Sequence, residues 1–164
     1  MSEYHIPVLL DESVTALVGD ALSGVYADAT FGGGGHSREI LSRLTQAGRL
    51  LAFDRDSDAL ANKPDDNRLV LIHNNFRFIH NYVLAEGYGD GIDGILADLG
   101  VSSHQFDTPE RGLSFRFAAE LGLRMNRQGR LTAAALVKRL DAAGLARILK
   151  VYGEVGGAGQ MASL

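Results

Sequence analysis

The stretch from Val25 to Asp54 constrains the fold more than any other part of the chain. Val25-Tyr26-Ala27 is a β-prone run that leads through Asp28-Ala29-Thr30-Phe31 into four consecutive glycines, Gly32 to Gly35, and then into His36-Ser37 and a helix-like segment. Eighteen residues after His36, a second apolar run, Leu50-Leu51-Ala52-Phe53, ends on Asp54. Strand, glycine loop, helix and acid-tipped strand is the order of a nucleotide-binding unit in a parallel sheet. Glycines let the backbone approach a ligand closely, and a carboxylate on the next strand tip can hold ribose hydroxyls.

The surrounding sequence repeats that alternation. Leu9, Leu10, Val14, Leu17 and Val18 share one face of a helix over residues 9–19. Val25–Thr30 reads as strand one, Ser37–Leu44 as a helix stopped by Gly48, and Leu50–Asp54 as a fully buried type of strand two. A helix is expected from Ser57 to Ala61, ended by Pro64, then strand three over Leu69–His73, a helix over Phe78–Glu86 and strand four over Ile92–Asp98. Strands alternating with helices predict an α/β fold with a parallel sheet, whose ligands bind outside the carboxyl ends of the strands. Gly32–His36, Asp54, Asn75-Phe76 and Asp98 all fall at such ends. After Asp98 the pattern changes. Leu99–Gln105 reads as a polar loop, Arg111–Phe115 as irregular, Ala133 to about Leu140 as a helix capped by Thr132, and Ala142 to about Tyr152 as another. Gly153–Gly159 is too rich in glycine to read as helix.

Composition narrows the chemistry. The chain has 164 residues, enough for a real core, and no cysteine, which excludes disulfides, thiolate metal sites and a cysteine nucleophile. No apolar run approaches the ~18 residues of a membrane span, and Met1-Ser2-Glu3-Tyr4-His5 lacks a signal-like start, so a cytoplasmic protein is expected. His5, His73, His80 and His104 show no metal-ligand spacing, and no metal is expected. Residues 1–110 hold 7 Lys/Arg against 17 Asp/Glu, whereas residues 111–150 hold 9 against 2. The later segment is therefore suited to phosphates, or is a solvated helical face.

The glycine loop also discriminates among nucleotides. In the dinucleotide pattern G-x-G-x-x-G, Gly32 and Gly34 fit but the last position is Ser37, and no Gly-Lys-Ser/Thr follows as a P-loop requires. An acid-led glycine loop with a carboxylate on strand two suits S-adenosylmethionine, an adenosine without phosphate. A nicotinamide oxidoreductase is the weaker alternative.

Five blocks in order then carry a resemblance: His5-x-Pro7-Val8-Leu9-Leu10-x-Glu12, Thr30-Phe31-Gly32-x-Gly34-Gly35-His36-Ser37, Asp54-Arg55-Asp56, Asp93-Gly94-Ile95-Leu96-x-Asp98-Leu99-Gly100-Val101-Ser102-Ser103-x-Gln105, and Glu110-Arg111-Gly112-x-Ser114-Phe115. Over about residues 5–154 the chain resembles the bacterial 16S rRNA (cytosine-N4)-methyltransferase family, also called methyltransferase H or MraW. The resemblance implies a class I S-adenosylmethionine-dependent methyltransferase with a Rossmann-like sheet, acting on the exocyclic amine of a cytidine in small-subunit rRNA or the ribosomal subunit. It implies that Gly34, Gly35 and His36 form the cofactor loop, that Asp54 binds ribose, and that Phe76, Asp98 and Gln105 complete the cofactor contacts. Phe76 can stack on adenine, Asp98 can face the sulfonium or the methionine amine, and Gln105 offers both a donor and an acceptor. Asp98, or the Ser102-Ser103 loop, is the candidate for polarising the amine whose lone pair is delocalised into the ring. Residues 1–110 would be the cofactor-binding half and 111–164 a partial, RNA-facing helical insert.

The sequence also departs from that family. Its Pro-Leu-Asp-Met-Arg-Met-Asp block appears as Glu120-Leu121-Gly122-Leu123-Arg124-Met125-Asn126, and basic positions after Tyr152-Gly153-Glu154 have become glycine. Family members continue for roughly another chain-length, so the resemblance implies an incomplete sheet with strand four as an apolar edge. The alternative expectation is a truncated, catalytically inactive relative that at most binds the cofactor or a partner.

Overall fold

The centre of the sheet is a strand with no exposed middle. In a computed structural model that describes residues 7–164, β2 (Arg49–Asp54) lies between β1 (Val25–Asp28) and β3 (Leu69–His73), and Leu50, Leu51, Ala52 and Phe53 are each fully buried. The continuous apolar run is explained by the two faces it must fill. Leu50 and Ala52 point into one cluster with Val14, Val18, Phe31, Ile40, Leu41 and Leu44, supplied by α1 (Leu10–Val18), α2 (Gly35–Arg43) and their flanks. Leu51 and Phe53 point into the other with Ile72 and Val83, the latter from α3 (Ile79–Ala85). Phe53 meets the Tyr82 ring edge-on at 5.6 Å. Period-two alternation thus divides one strand between two helical layers.

All pairings are parallel and the order is β3-β2-β1-β4, with β4 formed by Gly94–Leu96. The fourth strand is shorter than the expected Ile92–Asp98, because side chains close both ends of its ladder. At the start, the Asp93 carboxylate accepts from Val25 N–H at 2.7 Å. At the end, Ala29 N–H reaches the Leu96 carbonyl, and Asp98 N–H then donates to Thr30 Oγ1 at 2.7 Å instead of to a strand. Gly94 is needed where β4 passes under α1, since a Cβ there would lie 2.7 Å from Leu17 Cδ1. Ile95 is 53% exposed, so among the described residues β4 is an apolar edge of this sheet.

Three other expectations change. Ser57–Asn62 is a 3-10 helix rather than an α-helix, with Asp56 accepting from Asp58 N–H at its start. The 99–105 segment is not all loop: α4 covers Ser103–Asp107. The glycine-rich end also contains a helix, since α5 (Ala133–Arg139) and α6 (Ala142–Tyr152), both expected, are followed by α7 (Ala158–Ala162). Gly153 N–H and Val155 N–H both return to the Leu149 carbonyl, Glu154 takes a positive φ of 53°, and Ala158 buries itself, so the glycines turn the chain and a short helix packs back.

The chain divides into two units, one reaching to Gln105 with Met125–Arg127 added, the other comprising Phe106–Arg124 and Gln128–Leu164. In the second, α5 is capped by Thr132 Oγ1, which accepts from Ala135 N–H, and α6 by Asp141, which accepts from Gly144 N–H. Gly112, at φ 61°, passes so close to the Glu120 carbonyl that a Cβ would collide with it. A Cβ at Gly122 would lie 3.1 Å from the Arg111 carbonyl, a tight position for the acid that the family block carries there. His5, part of the first resemblance block, lies outside the described residues. Among the described residues no helix is long and apolar enough to cross a membrane, and no three His, Asp or Glu side chains gather as a metal site.

Candidate cofactor site

The carboxyl ends of the strands are held together by acids that fold the chain beside them. Asp28, at the tip of β1, accepts from Thr30 N–H at 3.0 Å, and Asp54, at the tip of β2, accepts from Asp56 N–H at 2.8 Å. Asp56 repeats the pattern with Asp58 N–H at 3.2 Å. These are three Asx-type turns, each a carboxylate bonding to the backbone two residues on. The second oxygens of these acids bridge elements. Asp54 Oδ2 accepts from Gly32 N–H at 2.7 Å, tying the β2 tip to the glycine loop. Asp28 Oδ2 accepts from Ser37 Oγ at 2.7 Å, tying the β1 tip to α2.

Asp28 and Ser37 are fully buried. Burial pushes the Asp28 carboxyl above its usual range, against the hydrogen bonds from Ser37 and Thr30 and the nearby His36, which pull it down. Ser37, the residue that breaks the dinucleotide pattern, is thus the partner of the acid that opens the loop.

The glycine loop takes its shape from Gly32 (φ 52°) and Gly34 (φ 77°), the latter the N-cap of α2. A Cβ on Gly34 would lie 2.9 Å from Phe31 Cζ, and one on Gly35 would collide with the Pro7 ring. The first intrahelical bond runs from Arg38 N–H to the Gly34 carbonyl, so the N–H groups of Gly35, His36 and Ser37 precede it. Arg38 aims its two terminal nitrogens at the Gly33 and Asn62 carbonyls, both at 2.7 Å, rather than out of the loop. The His36 side chain is nine-tenths buried and faces inward beside Asp28.

The other expected residues divide. Phe76 begins a 3-10 turn after β3, behind Asn75, which accepts from Arg77 N–H, and its ring is 39% exposed, available for stacking rather than lost in the core. Asp98 sits exposed on the loop after β4, its N–H held by Thr30. Gln105 is committed to the protein: Nε2 donates to Asp56 Oδ2 at 2.8 Å, and Oε1 accepts from Ser102 N–H at 3.1 Å. One N–H and one lone pair of its amide remain for a ligand. Sequence reasoning named Asp54, Phe76 and Asp98 but missed Asp56, buried at 3% exposure, and the start of α4. The signals were present. Ser102-Ser103-His104-Gln105 is a capping box, completed by Gln105 N–H donating to Ser102 Oγ at 3.2 Å, and Asp56 stands two residues before Asp58 as a turn-forming acid should.

A parallel sheet with a glycine loop, a helix N-terminus and acids gathered on its carboxyl edge defines a Rossmann-like, class I methyltransferase type of α/β protein. The sequence model of the MraW methylase family matches residues 2–163, and the chain belongs to that family. It is 50% identical over 161 residues to the ribosomal RNA small subunit methyltransferase H of Bacteroides fragilis, covering 98% of this chain and 52% of that protein. It is 53% identical over 153 residues to the protein of the same name from Flavobacterium johnsoniae, covering 93% and 50%. In Flavobacterium psychrophilum the figure is 56% over 135 residues, covering 82% and 46%. The chain spans about half the length of the curated relatives it matches.

Proposed function

We propose that this chain carries the S-adenosylmethionine-binding half of a methyltransferase acting on N4 of a cytidine in small-subunit rRNA, in a cytoplasmic setting. The observation that carries the reading is the strand-tip cluster in which Asp54 bridges Gly32 N–H and Asp56 N–H, on a chain matched to the MraW family over residues 2–163.

The residues present fit that cofactor. Asp54 and Asp98 make the edge acidic, Asp58 being paired with Arg127 at 3.4 Å, and Arg38 is turned onto carbonyls. Such an edge repels a pyrophosphate and favours a ligand with a sulfonium and an amine. Gly34 and Gly35 give backbone room, and the N–H groups at the start of α2 suit the ligand's carboxylate. Asp54 keeps acceptor capacity for ribose hydroxyls beyond its two backbone bonds. Phe76 offers a ring face to adenine, and Gln105 and His36 hold the walls. When bound, the cofactor supplies an electrophilic methyl group. Asp98, exposed on the loop after β4, would accept a hydrogen bond from the cytosine amine and free its lone pair, while the surrounding groups fix the approach.

Residues 111–150 would face the RNA, where the basic excess lies, with Lys138, Arg139, Arg147 and Lys150 exposed on α5 and α6. A second reading, cofactor binding without turnover, is favoured by Gly122 and Asn126 standing where the family block has acids. The deciding experiment incubates the chain with isotopically labelled S-adenosylmethionine and unmodified small-subunit RNA or subunits, then assays nucleosides for N4-methylcytidine. Label in that nucleoside supports the first reading. Cofactor binding without label supports the second.

A further inference from the structure

We propose that Asp56 is a positioning residue that sets the Asp98–Gln105 loop against the strand tips through the amide of Gln105, an inference that rests on the cofactor reading above. Two hydrogen bonds tie the loop to the strand tips. At its start, Asp98 N–H donates to Thr30 Oγ1 at 2.7 Å, joining it to the glycine loop. At its end, Gln105 Nε2 donates to Asp56 Oδ2 at 2.8 Å, joining it to the exit of β2. Between them Leu99 is 72% exposed and Val101 37%, so burial holds the middle weakly. The Asp56 carboxylate is 3% exposed, and its other oxygen is occupied by Asp58 N–H.

The donor pattern fixes the orientation of the Gln105 amide. Turning the Gln105 amide over would set Oε1 against a carboxylate and its NH2 against Ser102 N–H, two repulsive contacts in place of two bonds. The capping box, the Asp56 bridge and the Asx turn at Asp58 are therefore one arrangement, and Asp98 rides on the loop it orders.

The arrangement can be inverted without changing the net charge, which makes the test specific. Asp56→Asn leaves one acceptor oxygen for two donors, Asp58 N–H and Gln105 Nε2. Gln105→Glu sets a carboxylate against the Asp56 carboxylate. Combined, D56N/Q105E satisfies all three bonds again: the new amide donates to the new carboxylate, that carboxylate still accepts from Ser102 N–H, and the amide oxygen still accepts from Asp58 N–H. Two readouts are measured on the full chain: amide hydrogen exchange of the 98–107 peptide without ligand, and S-adenosylmethionine affinity by calorimetry. Each single variant should lose roughly tenfold in protection of that peptide and in affinity, the scale of a lost charge-assisted hydrogen bond. The double variant should regain most of the protection, while its affinity stays reduced because the carboxylate that replaces the Gln105 amide has no N–H to offer the ligand. Singles that leave the exchange of 98–107 unchanged, or a double variant no better protected than the worse single, overturn the proposal. If the unmodified chain binds no S-adenosylmethionine, the cofactor reading fails, while the exchange data still decide whether Asp56 orders the loop.

Discussion

Removing one hydroxyl tests how the glycine loop is held. Ser37 Oγ donates to Asp28 Oδ2 at 2.7 Å, both residues are fully buried, and the other bond to that carboxylate comes from Thr30 N–H. Where Asp28 is ionised, Ser37→Ala deletes a hydrogen bond to a buried charged group, a loss of about 2 kcal/mol. For a chain of this length that lowers Tm by roughly 4–8 °C. The loss must also depend on pH. Asp28 has its pKa raised from 3.8 by burial, so it takes up its proton at a higher pH in the folded state than in the unfolded chain. Where Asp28 is neutral the deleted bond is an ordinary one of about 1 kcal/mol. Urea unfolding followed by far-UV circular dichroism, on wild type and S37A over a series of pH values, should therefore show a penalty that falls to roughly half as pH drops through the folded-state pKa of Asp28. Ser42→Ala, which removes an exposed hydroxyl bonded to the Glu39 carbonyl, serves as the control. A Ser37→Ala penalty that stays the same across the series, or one no larger than the control, would refute the reasoning.

Three further outcomes follow from the same geometry. Because the folded-state pKa of Asp28 is raised, its ionisation opposes folding. The stability of wild type relative to Asp28→Asn should be flat below pH 3.8, decline as pH rises through the folded pKa, and level off above it; a rise over that window in paired unfolding curves contradicts the assignment. Gly34→Ala places a Cβ at φ 77° and 2.9 Å from Phe31 Cζ, costing about 1–2 kcal/mol in thermal or urea unfolding, whereas an unchanged stability would mean the loop relaxes freely. Phe76→Ala, at a ring 39% exposed, should change stability by less than about 0.5 kcal/mol but weaken S-adenosylmethionine binding about tenfold in calorimetry, and a large unfolding effect with intact binding would return the ring to a packing role.

The parts of the fold legible in the sequence are those written in local patterns. The apolar run of β2, the strand-like Leu69–His73 and the α6 periodicity all appear where their residues predict them. The parts that were not legible depend on partners far away in the chain. Ile92–Asp98 reads as one strand, but Asp93 and Thr30 divert its ends, and neither side-chain bond is visible without the neighbouring strand. The Asp54 bridge to Gly32 spans 22 positions and the Gln105 bridge to Asp56 spans 49, so the residue types were readable and their pairing was not. The start of α4 is different: its capping box lies within four residues and was readable, but the polar character of 99–105 masked it.

The central claim is that the strand-tip cluster is an S-adenosylmethionine site. The most direct test is calorimetric titration of the purified chain with S-adenosylmethionine, beside Asp54→Ala, whose loss frees Gly32 N–H and Asp56 N–H as well as removing the ribose acceptor. The account predicts saturable binding to wild type and its loss in the variant, with NAD giving no comparable heat. A folded wild-type chain that shows no binding, or binds equally well without the Asp54 carboxylate, would contradict it.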